Sequence, residues 1–256
     1  MSANFIFKSD NHSVILFSEF VKGHGIQSNQ FLVIHDNHSA LIDPGGYLTY
    51  TPLTNAVAVH TPLKKLDLIL ASHQDPDIIS SLGQWVTYSD AKIYVSKLWE
   101  RFIPHLVPGY MESDSSERIV PIPDKGMLIE IGGLKIHALP AHFLHSVGNF
   151  HFYDPVSKIL FSGDVGASLI KGNAADPVED FDKYAESMRA FHQRYMGSNR
   201  ALRLWANMVR GLNVEMIVPQ HGHMFTGKEM INKFLDWLTT LECGMDNISQ
   251  QTYMPP

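Results

Sequence analysis

Residues 72–77 read Ser-His-Gln-Asp-Pro-Asp and follow directly on the apolar run at 66–71. If this segment stays extended past the end of a strand, the two-residue period of an extended chain turns His73, Asp75 and Asp77 toward one side. The residues that come next predict a helix, because apolar side chains recur there at helical spacing; they are Ile78, Ile79, Leu82, Trp85 and Val86. Three side chains of metal-binding type therefore occupy a strand-to-helix loop, the place where α/β proteins keep their chemistry.

The same stretch has a plainer interpretation. Aspartate, proline and serine are common in loops and are frequent helix caps. Taken alone, residues 72–77 would cap a helix more often than they would bind a metal. The other strand ends of the chain decide between the two interpretations.

Composition narrows the class of protein. The 256 residues are 45% hydrophobic, enough for a sizeable core, and a net charge of −6 argues against a nucleic-acid partner. The amino end lacks a secretory signal pattern, and no apolar run approaches the roughly 20 residues that span a bilayer, so we expect a cytoplasmic protein without membrane contact. The single cysteine, Cys243, excludes an internal disulfide, a zinc knuckle and a cysteine-ligated iron centre.

Apolar periodicity predicts strands in the first third of the chain and again around its middle. Hairpins are expected at 30–43, 127–139 and 149–162, and single strands at 92–95 and 216–218. Helices are expected at 98–103, 178–210 and 228–241, with a long polar excursion at 104–123. Two β-rich stretches, each followed by helices, favour one two-lobed domain over residues 1–256.

Residues of metal-binding type stand at the close of four predicted strands. Together they offer three imidazoles and three carboxylates: His73, Asp75, Asp77, His142, Asp164 and His221. Six ligands exceed the needs of one tetrahedral zinc, whereas two metals about 3.5 to 4 Å apart that share a carboxylate would use them all. Asp164 is the natural bridge between the two metals.

At this point the pattern resembles the metallo-β-lactamase fold, and within it the flavodiiron proteins and the stand-alone oxygen-binding di-iron proteins. Hydrolases of that fold carry His-x-His-x-Asp-His and flavodiiron proteins carry His-x-Glu-x-Asp, while residues 73–78 read His-Gln-Asp-Pro-Asp-Ile. Three later landmarks also resemble the family: a histidine followed four residues on by serine (His142, Ser146), Gly163-Asp164 after a strand, and Pro-x-His-Gly at 219–222.

The resemblance implies an α+β fold, an αββα sandwich of two mixed β-sheets flanked by helices. It implies two iron ions, the first held by His73, Asp75 and His142, the second by Asp77 and His221, with Asp164 shared. It further implies a protein that binds and can slowly reduce O₂, an oxygen or iron sensor that forms a homodimer and acts on a signalling or redox partner.

Three residues are predicted to act beside the metals. Ile78 stands where the hydrolases have another metal-binding histidine, so it would leave a coordination position for O₂. His145, like His223, lies next to a ligand and is assigned hydrogen bonding or proton delivery, with a plain surface role as the alternative. His24 lies between two glycines, where a surface loop is the default and support of the metal site is the alternative.

The chain departs from the family pattern in two places. Asp75 stands where a glutamate is usual, one methylene shorter, and the sequence up to Pro256 offers neither a flavin-phosphate loop nor a rubredoxin-type cysteine set. The expected enzyme class is therefore open, a flavodiiron-type oxidoreductase without its own electron-donor domain. The alternatives are a dinuclear zinc hydrolase of the β-lactamase or glyoxalase II type, and a binding module without metal.

Overall fold

The computed structural model describes residues 2–107, 117–169 and 172–255. Its first sheet has seven strands, arranged in space in the same order as in the chain. The first four strands pair antiparallel and the last four pair parallel. The strands are β1 (Ser2–Lys8), β2 (His12–Ser18), β3 (Gln30–His35), β4 (His38–Ile42), β5 (Leu68–Leu70), β6 (Lys92–Ser96) and β7 (Ile119–Ile122).

The second sheet has six strands in the order β13-β12-β11-β10-β9-β8. Neighbouring strands are antiparallel except β11 and β12, which run parallel. The strands are β8 (Met127–Ile131), β9 (Leu134–Pro140), β10 (Phe150–Asp154), β11 (Ile159–Phe161), β12 (Met216–Val218) and β13 (Phe225–Thr226). All three predicted hairpins are present within these two sheets.

Six α-helices within the described ranges cover the outer faces of the two sheets. They are α1 (Tyr50–Ala58), α2 (Pro76–Ile79), α3 (Leu82–Tyr88), α4 (Phe181–Tyr195), α5 (Asn199–Arg210) and α6 (Lys228–Thr240). The two-residue period of β2 explains the layers, because Val14 and Leu16 pack between the sheets while Ile15 and Phe17 pack outward against α1 and α3. Helices α4, α5 and α6 cover the second sheet in the same way. The predicted αββα sandwich is confirmed.

Two predicted helices are each divided in the structure. The helix expected at 178–210 is interrupted at 196–198, where the Ser198 side chain accepts a hydrogen bond from the backbone N–H of Ala201 and caps α5. The helix after residues 72–77 is interrupted at Ser80 and Ser81, which separates α2 from α3. The apolar periodicity of the sequence continues through both breaks, so it could not predict them.

Other differences are smaller. The helix expected at 98–103 is a series of turns that leads into a 3-10 helix at Ile103–His105. The long excursion at 104–123 contains β7, and residues 108–116 of it lie outside the described residues. Strand β13 was not predicted. None of the helices in the described ranges is both long enough and apolar enough to cross a bilayer.

A buried hydrogen bond joins the two sheets. His12 at the start of β2 donates from Nε2 to Asp154 Oδ2 at the end of β10 over 2.7 Å, and both side chains are fully buried. Asp154 also accepts from the Ser157 hydroxyl at 2.5 Å and from the Val156 N–H at 3.0 Å. Burial opposes ionisation, but these donors hold the pKa of Asp154 below its usual range. The bond between His12 and Asp154 therefore stabilises the folded chain as long as the carboxyl is ionised.

We predict that Asp154→Asn lowers the free energy of unfolding of the metal-free protein by about 1 to 3 kcal/mol at pH 7, because charged hydrogen bonds are lost from a buried site. A depressed carboxyl pKa stabilises the fold above the unfolded value of about 3.9 and ceases to do so as pH falls through the folded value. The difference from wild type should therefore shrink in acid. Urea unfolding at several pH values measures it.

The matched control for this comparison is Asp90→Asn. Asp90 is exposed and pairs with Lys64 at the surface, so the change should leave stability almost unaltered. Equal losses in the two variants, or a difference that grows in acid, would contradict the assignment.

Candidate metal centre

The carboxyl ends of several strands from the two sheets meet at one edge of the sandwich. The N–H of Phe150, at the start of β10, donates to the carbonyl of Ser72 over 2.9 Å and so joins the two sheets there. In the second sheet, the Gln220 N–H donates to the Gly163 carbonyl over 2.9 Å. The loops that carry His73, Asp164 and His221 are therefore brought together by backbone bonds.

Four side chains offer ligand atoms that all lie within 4.8 Å of one another: His73, Asp75, His145 and Asp164. Nε2 of His145 lies 3.0 Å from Asp164 Oδ2 and 3.4 Å from Asp75 Oδ2. Nε2 of His73 lies 3.9 Å from the same Asp164 oxygen. We call these four side chains the first ligand group.

The other oxygen of Asp164 faces a different histidine. Nε2 of His221 lies 3.4 Å from Asp164 Oδ1 and 3.4 Å from Asp77 Oδ2. Asp77, His221 and Asp164 form the second ligand group. Because each oxygen of Asp164 belongs to one group, this carboxylate is placed as a bridge between two cations.

Several of the converging atoms are buried without a hydrogen bond. Among the described residues, His73 Nε2, His145 Nε2 and Asp164 Oδ1 are buried and lack a well-formed hydrogen bond. Burial of an unsatisfied polar atom costs free energy, so such atoms in one place indicate a missing partner. Cations that bind imidazole nitrogen and carboxylate oxygen satisfy all three atoms at once, and the residues present therefore fit a metal centre.

Charge in the cluster supports this interpretation. Burial lowers the pKa of His73, which favours the neutral form of the ring, the form that binds metals. Burial opposes ionisation of Asp164, but the neighbouring imidazoles of His145 and His221, 3.0 and 3.4 Å from its oxygens, hold its pKa well below the usual range. The same interaction overcomes burial at His221 and raises its pKa to about 9. Metal binding here would displace protons from imidazole.

A buried aspartate that the sequence did not suggest holds the loops of both ligand groups through hydrogen bonds. Asp43 Oδ1 accepts from the Ser72 N–H over 2.8 Å, and Oδ2 accepts from the Gln220 side chain. Ser72 and Gln220 each precede a ligand histidine, so Asp43 positions two ligand loops at once. Burial raises the pKa of Asp43 to about 7. The sequence feature that could have indicated Asp43 is the Asp-Pro-Gly-Gly turn that follows β4.

The outer ring nitrogens of two ligand histidines are also held. His73 Nδ1 lies 2.8 Å from the Ser72 hydroxyl, and His221 Nδ1 donates to the Gln27 carbonyl over 2.6 Å. These bonds fix which nitrogen of each ring faces the cluster. No sequence pattern pointed to Gln27, because the contact spans 194 residues of chain.

The interpretation of residues 72–77 as a simple helix cap does not fit Asp75. This residue does occupy the cap position of α2, yet its side chain makes no capping hydrogen bond. Its carboxylate lies instead beside His145. The Asp75 and Asp77 side chains are about one third exposed, so the cluster faces solvent on their side.

One member of the predicted set lies elsewhere in the structure. His142 turns away from the cluster: its Nε2 donates to the Asp124 carbonyl over 2.7 Å, and its ring packs edge-on against Phe150. His145, predicted only to assist the ligands, lies in the first ligand group instead. Between the two histidines the backbone reverses at Phe143, which has φ of +66°. Strand periodicity does not extend into such a turn, so the sequence could not decide between them.

The remaining predicted residues lie around the cluster. Ile78 is fully buried in α2, directly after Asp77. His24 is exposed and, with His223, lines a separate cavity of about 500 Å³. His223 contacts the Asp176 carbonyl through Nδ1 at 3.1 Å. The functional roles assigned to these three residues stay predictions.

Comparison with known proteins gives consistent similarities. Residues 26–222 match a family model described as the ODP family beta lactamase. A structure described as the peroxy diiron species of the chemotaxis sensor ODP is 38% identical, covers 98% of this chain and 100% of that chain, and has a TM-score of 0.85. The apo state of the chemotaxis sensor ODP from T. denticola is also 38% identical, over 99% of both chains, with a TM-score of 0.86.

More distant proteins share the fold over part of their length. Rubredoxin oxygen:oxidoreductase from Desulfovibrio gigas is 16% identical over 93% of this chain and 61% of that chain, with a TM-score of 0.77. A curated relative, putative diflavin flavoprotein A 4 from Synechocystis, is 24% identical over 86% of this chain. The chain spans only 36% of that relative's length.

The two histidines of the loop after β9 provide a matched pair of variants. We predict that His145→Ala, which removes a ligand of the first group, lowers the metal bound after loading with Fe²⁺ or Zn²⁺ from about two ions per chain to about one or fewer. His142→Ala should retain nearly full loading. Elemental analysis of the dialysed proteins measures the ratio, and full loading of the His145 variant with loss in the His142 variant would assign the ligand role to His142 instead.

Asp164→Ala should reduce metal at both positions, because the bridging carboxylate belongs to both ligand groups. We expect well under one ion per chain in the same measurement. The matched control is Asp182→Ala, an exposed aspartate in the first turn of α4, which should keep full loading. Full metal content in the Asp164 variant would exclude a bridging role.

Proposed function

The chain belongs to the ODP family of β-lactamase-fold proteins, and from that premise we propose that it holds two iron ions and binds O₂ at them. One observation carries the proposal: the buried Asp164 carboxylate directs one oxygen toward each ligand group. One of the similar proteins of solved structure is described as a chemotaxis sensor with a di-iron site. We propose the same role for this chain, an oxygen or iron sensor.

The donor set supports iron over zinc. Asp75, Asp77 and Asp164 are hard anionic donors that suit iron in both its ferrous and ferric states, and they offset its added charge on oxidation. When bound, iron would supply the electrons for O₂ binding, and slow turnover of O₂ would need an external reductant to restore the ferrous state. The side chains would supply the coordination of the two ions. His73, Asp75 and His145 would hold one ion, Asp77 and His221 would hold the other, and Asp164 would bind both.

The second ligand group leaves room for a small ligand. It has one side chain fewer than the first, and Ile78, directly after Asp77, offers no donor atom. A cavity of about 250 Å³ reaches Asp77 and Pro76 from the side of Tyr47. An open coordination position beside an apolar residue is what a site for O₂ requires. This arrangement supports O₂ binding at the second group.

A dinuclear zinc hydrolase is the less favoured alternative. Its motif places histidines at positions that are Asp75 and Ile78 here. Zinc does bind many nitrogen and oxygen sites more tightly than Fe²⁺, so the metal present in the purified protein discriminates between the two functions.

The proposal also covers the domain organisation, the location, the oligomeric state and the partner of the chain. We propose one domain over residues 1–256, a cytoplasmic homodimer, and a signalling or redox partner protein. The chemotaxis role named for the two similar structures supports a signalling partner. Whether the chain is an oxidoreductase depends on an external supply of electrons, which O₂ consumption with a chemical reductant would test.

We predict about two iron ions per chain, and little zinc, in protein purified without oxygen from iron-supplemented cells. Exposure of the ferrous protein to air should produce a visible absorption band that the metal-free protein lacks. Elemental analysis and absorption spectroscopy measure the two results. A stoichiometric zinc content with no colour change in air would favour the hydrolase.

A further inference from the structure

An apolar cleft lies beside the metal centre, between the loop that carries His145 and helix α5. Its volume is about 620 Å³, within the usual range of ligand-binding pockets. Most of its lining is apolar, and the residues that matter here are Phe143, Leu144, Arg200, Leu204, Trp205 and Met245. Phe143, Leu204 and Met245 are each more than half exposed, so the apolar surface continues beyond the cleft.

The cleft has a positively charged border on a chain of net charge −6. Arg200 lines the cleft, and Arg203 is exposed one turn along the same helix. Helix α5 contains no acidic residue. No carboxylate of the described residues lies within 4.0 Å of either guanidinium, whereas Arg210 at the far end of α5 pairs with Asp236. The cleft therefore presents free positive charge next to apolar surface.

Two sets of contacts connect this cleft to the metal ligands. Phe143 and Leu144 directly precede His145, and the Phe143 carbonyl accepts from the Gly197 N–H over 2.8 Å, which fixes that loop to the start of α5. On the other side, the Trp205 ring packs edge-on against the buried His151 at 5.3 Å. His151 in turn lies against Gly163, the residue before Asp164.

We propose that this cleft binds an amphipathic helix with acidic flanks from a signalling partner, and that binding is coupled to the metal centre through the His145 loop. The inference rests on the proposed function. A helix laid in a groove inserts its apolar side chains while its flanks meet the border, and acidic flanks complement Arg200 and Arg203. Exposed Phe and Met beside Arg is the composition typical of protein interfaces.

The test uses a synthetic probe helix of about 18 residues, with leucines at i, i+3, i+4 and i+7 and glutamates elsewhere. A second probe replaces each glutamate with lysine. Fluorescence anisotropy with the iron-loaded protein should show that the acidic probe binds at least about tenfold more tightly than the basic one. Equal binding of the two probes would overturn the proposal.

Variants locate the binding surface. Arg200→Glu with Arg203→Glu, and separately Leu204→Asp, should each weaken the acidic probe by roughly tenfold or more. Lys92→Glu reverses a single positive charge on an exposed residue at the amino end of β6, which does not line the cleft, and should leave binding unchanged. Two outcomes would place the probe elsewhere and overturn the proposal. One is weaker binding in the Lys92 variant alone, and the other is unchanged binding in all of the variants.

Coupling has its own readout. If the probe senses the metal centre, its affinity for iron-loaded and metal-free protein should differ by about fivefold or more, and the probe should change the iron affinity by the same factor. Equal affinities would overturn the coupling. Two other occupants would also overturn the proposal: saturation by dodecanoate without probe binding, or conversion of a dimer to a monomer by Leu204→Asp in light scattering.

Failure of this inference is distinguishable from failure of the proposed function. Iron content and the colour change in air depend on the two ligand groups, and none of the docking variants alters a ligand. Full iron loading without probe binding removes the docking site alone. Probe binding without iron loading removes the sensor function and the coupling, and leaves only a docking surface.

Discussion

A carboxylate buried as deeply as that of Asp164 needs positive charge or hydrogen-bond donors around both of its oxygens. Here these partners are His145 on one side and His221 on the other, and both approach from loops of the second sheet. The remaining ligands come from residues 73–77 at the edge of the first sheet. The balance of charge around Asp164 therefore contributes to holding the two sheets together at this edge, and cations bound there would add to it.

The backbone around the cluster is held independently of any cation. Asp43 accepts hydrogen bonds from residues that precede His73 and His221, so one buried side chain sets the spacing of the two ligand loops. The backbone bond between Phe150 and Ser72 joins the sheets at the same edge. Ligands preset in this way lose little conformational freedom on metal binding, which favours tight and specific coordination.

Much of the fold was predictable because both sheets are built from strands whose side chains alternate between two buried layers. The structure brings His73, Asp75, Asp77, Asp164 and His221, which follow the ends of those strands, together at one edge of the sandwich, and their role as metal ligands stays a prediction. The errors came where the periodic signal stops. His142 and His145 lie in a turn whose backbone reverses, and the helix break at 196–198 depends on a local cap that apolar periodicity does not encode. Asp43 was missed because its partners are distant in sequence.

The buried pair of His12 and Asp154 lies at the end of the sandwich opposite the ligand loops, since β10 begins beside Ser72 and ends at Asp154. The first end is held by this buried pair, and at the ligand edge bound cations would add to the backbone bonds already present there. Removal of the cations should loosen the ligand edge while the opposite edge stays closed, so that amide protons near residues 72–77 exchange with solvent long before those of β2. The chain would therefore keep its fold without cations, and it could bind them again without refolding.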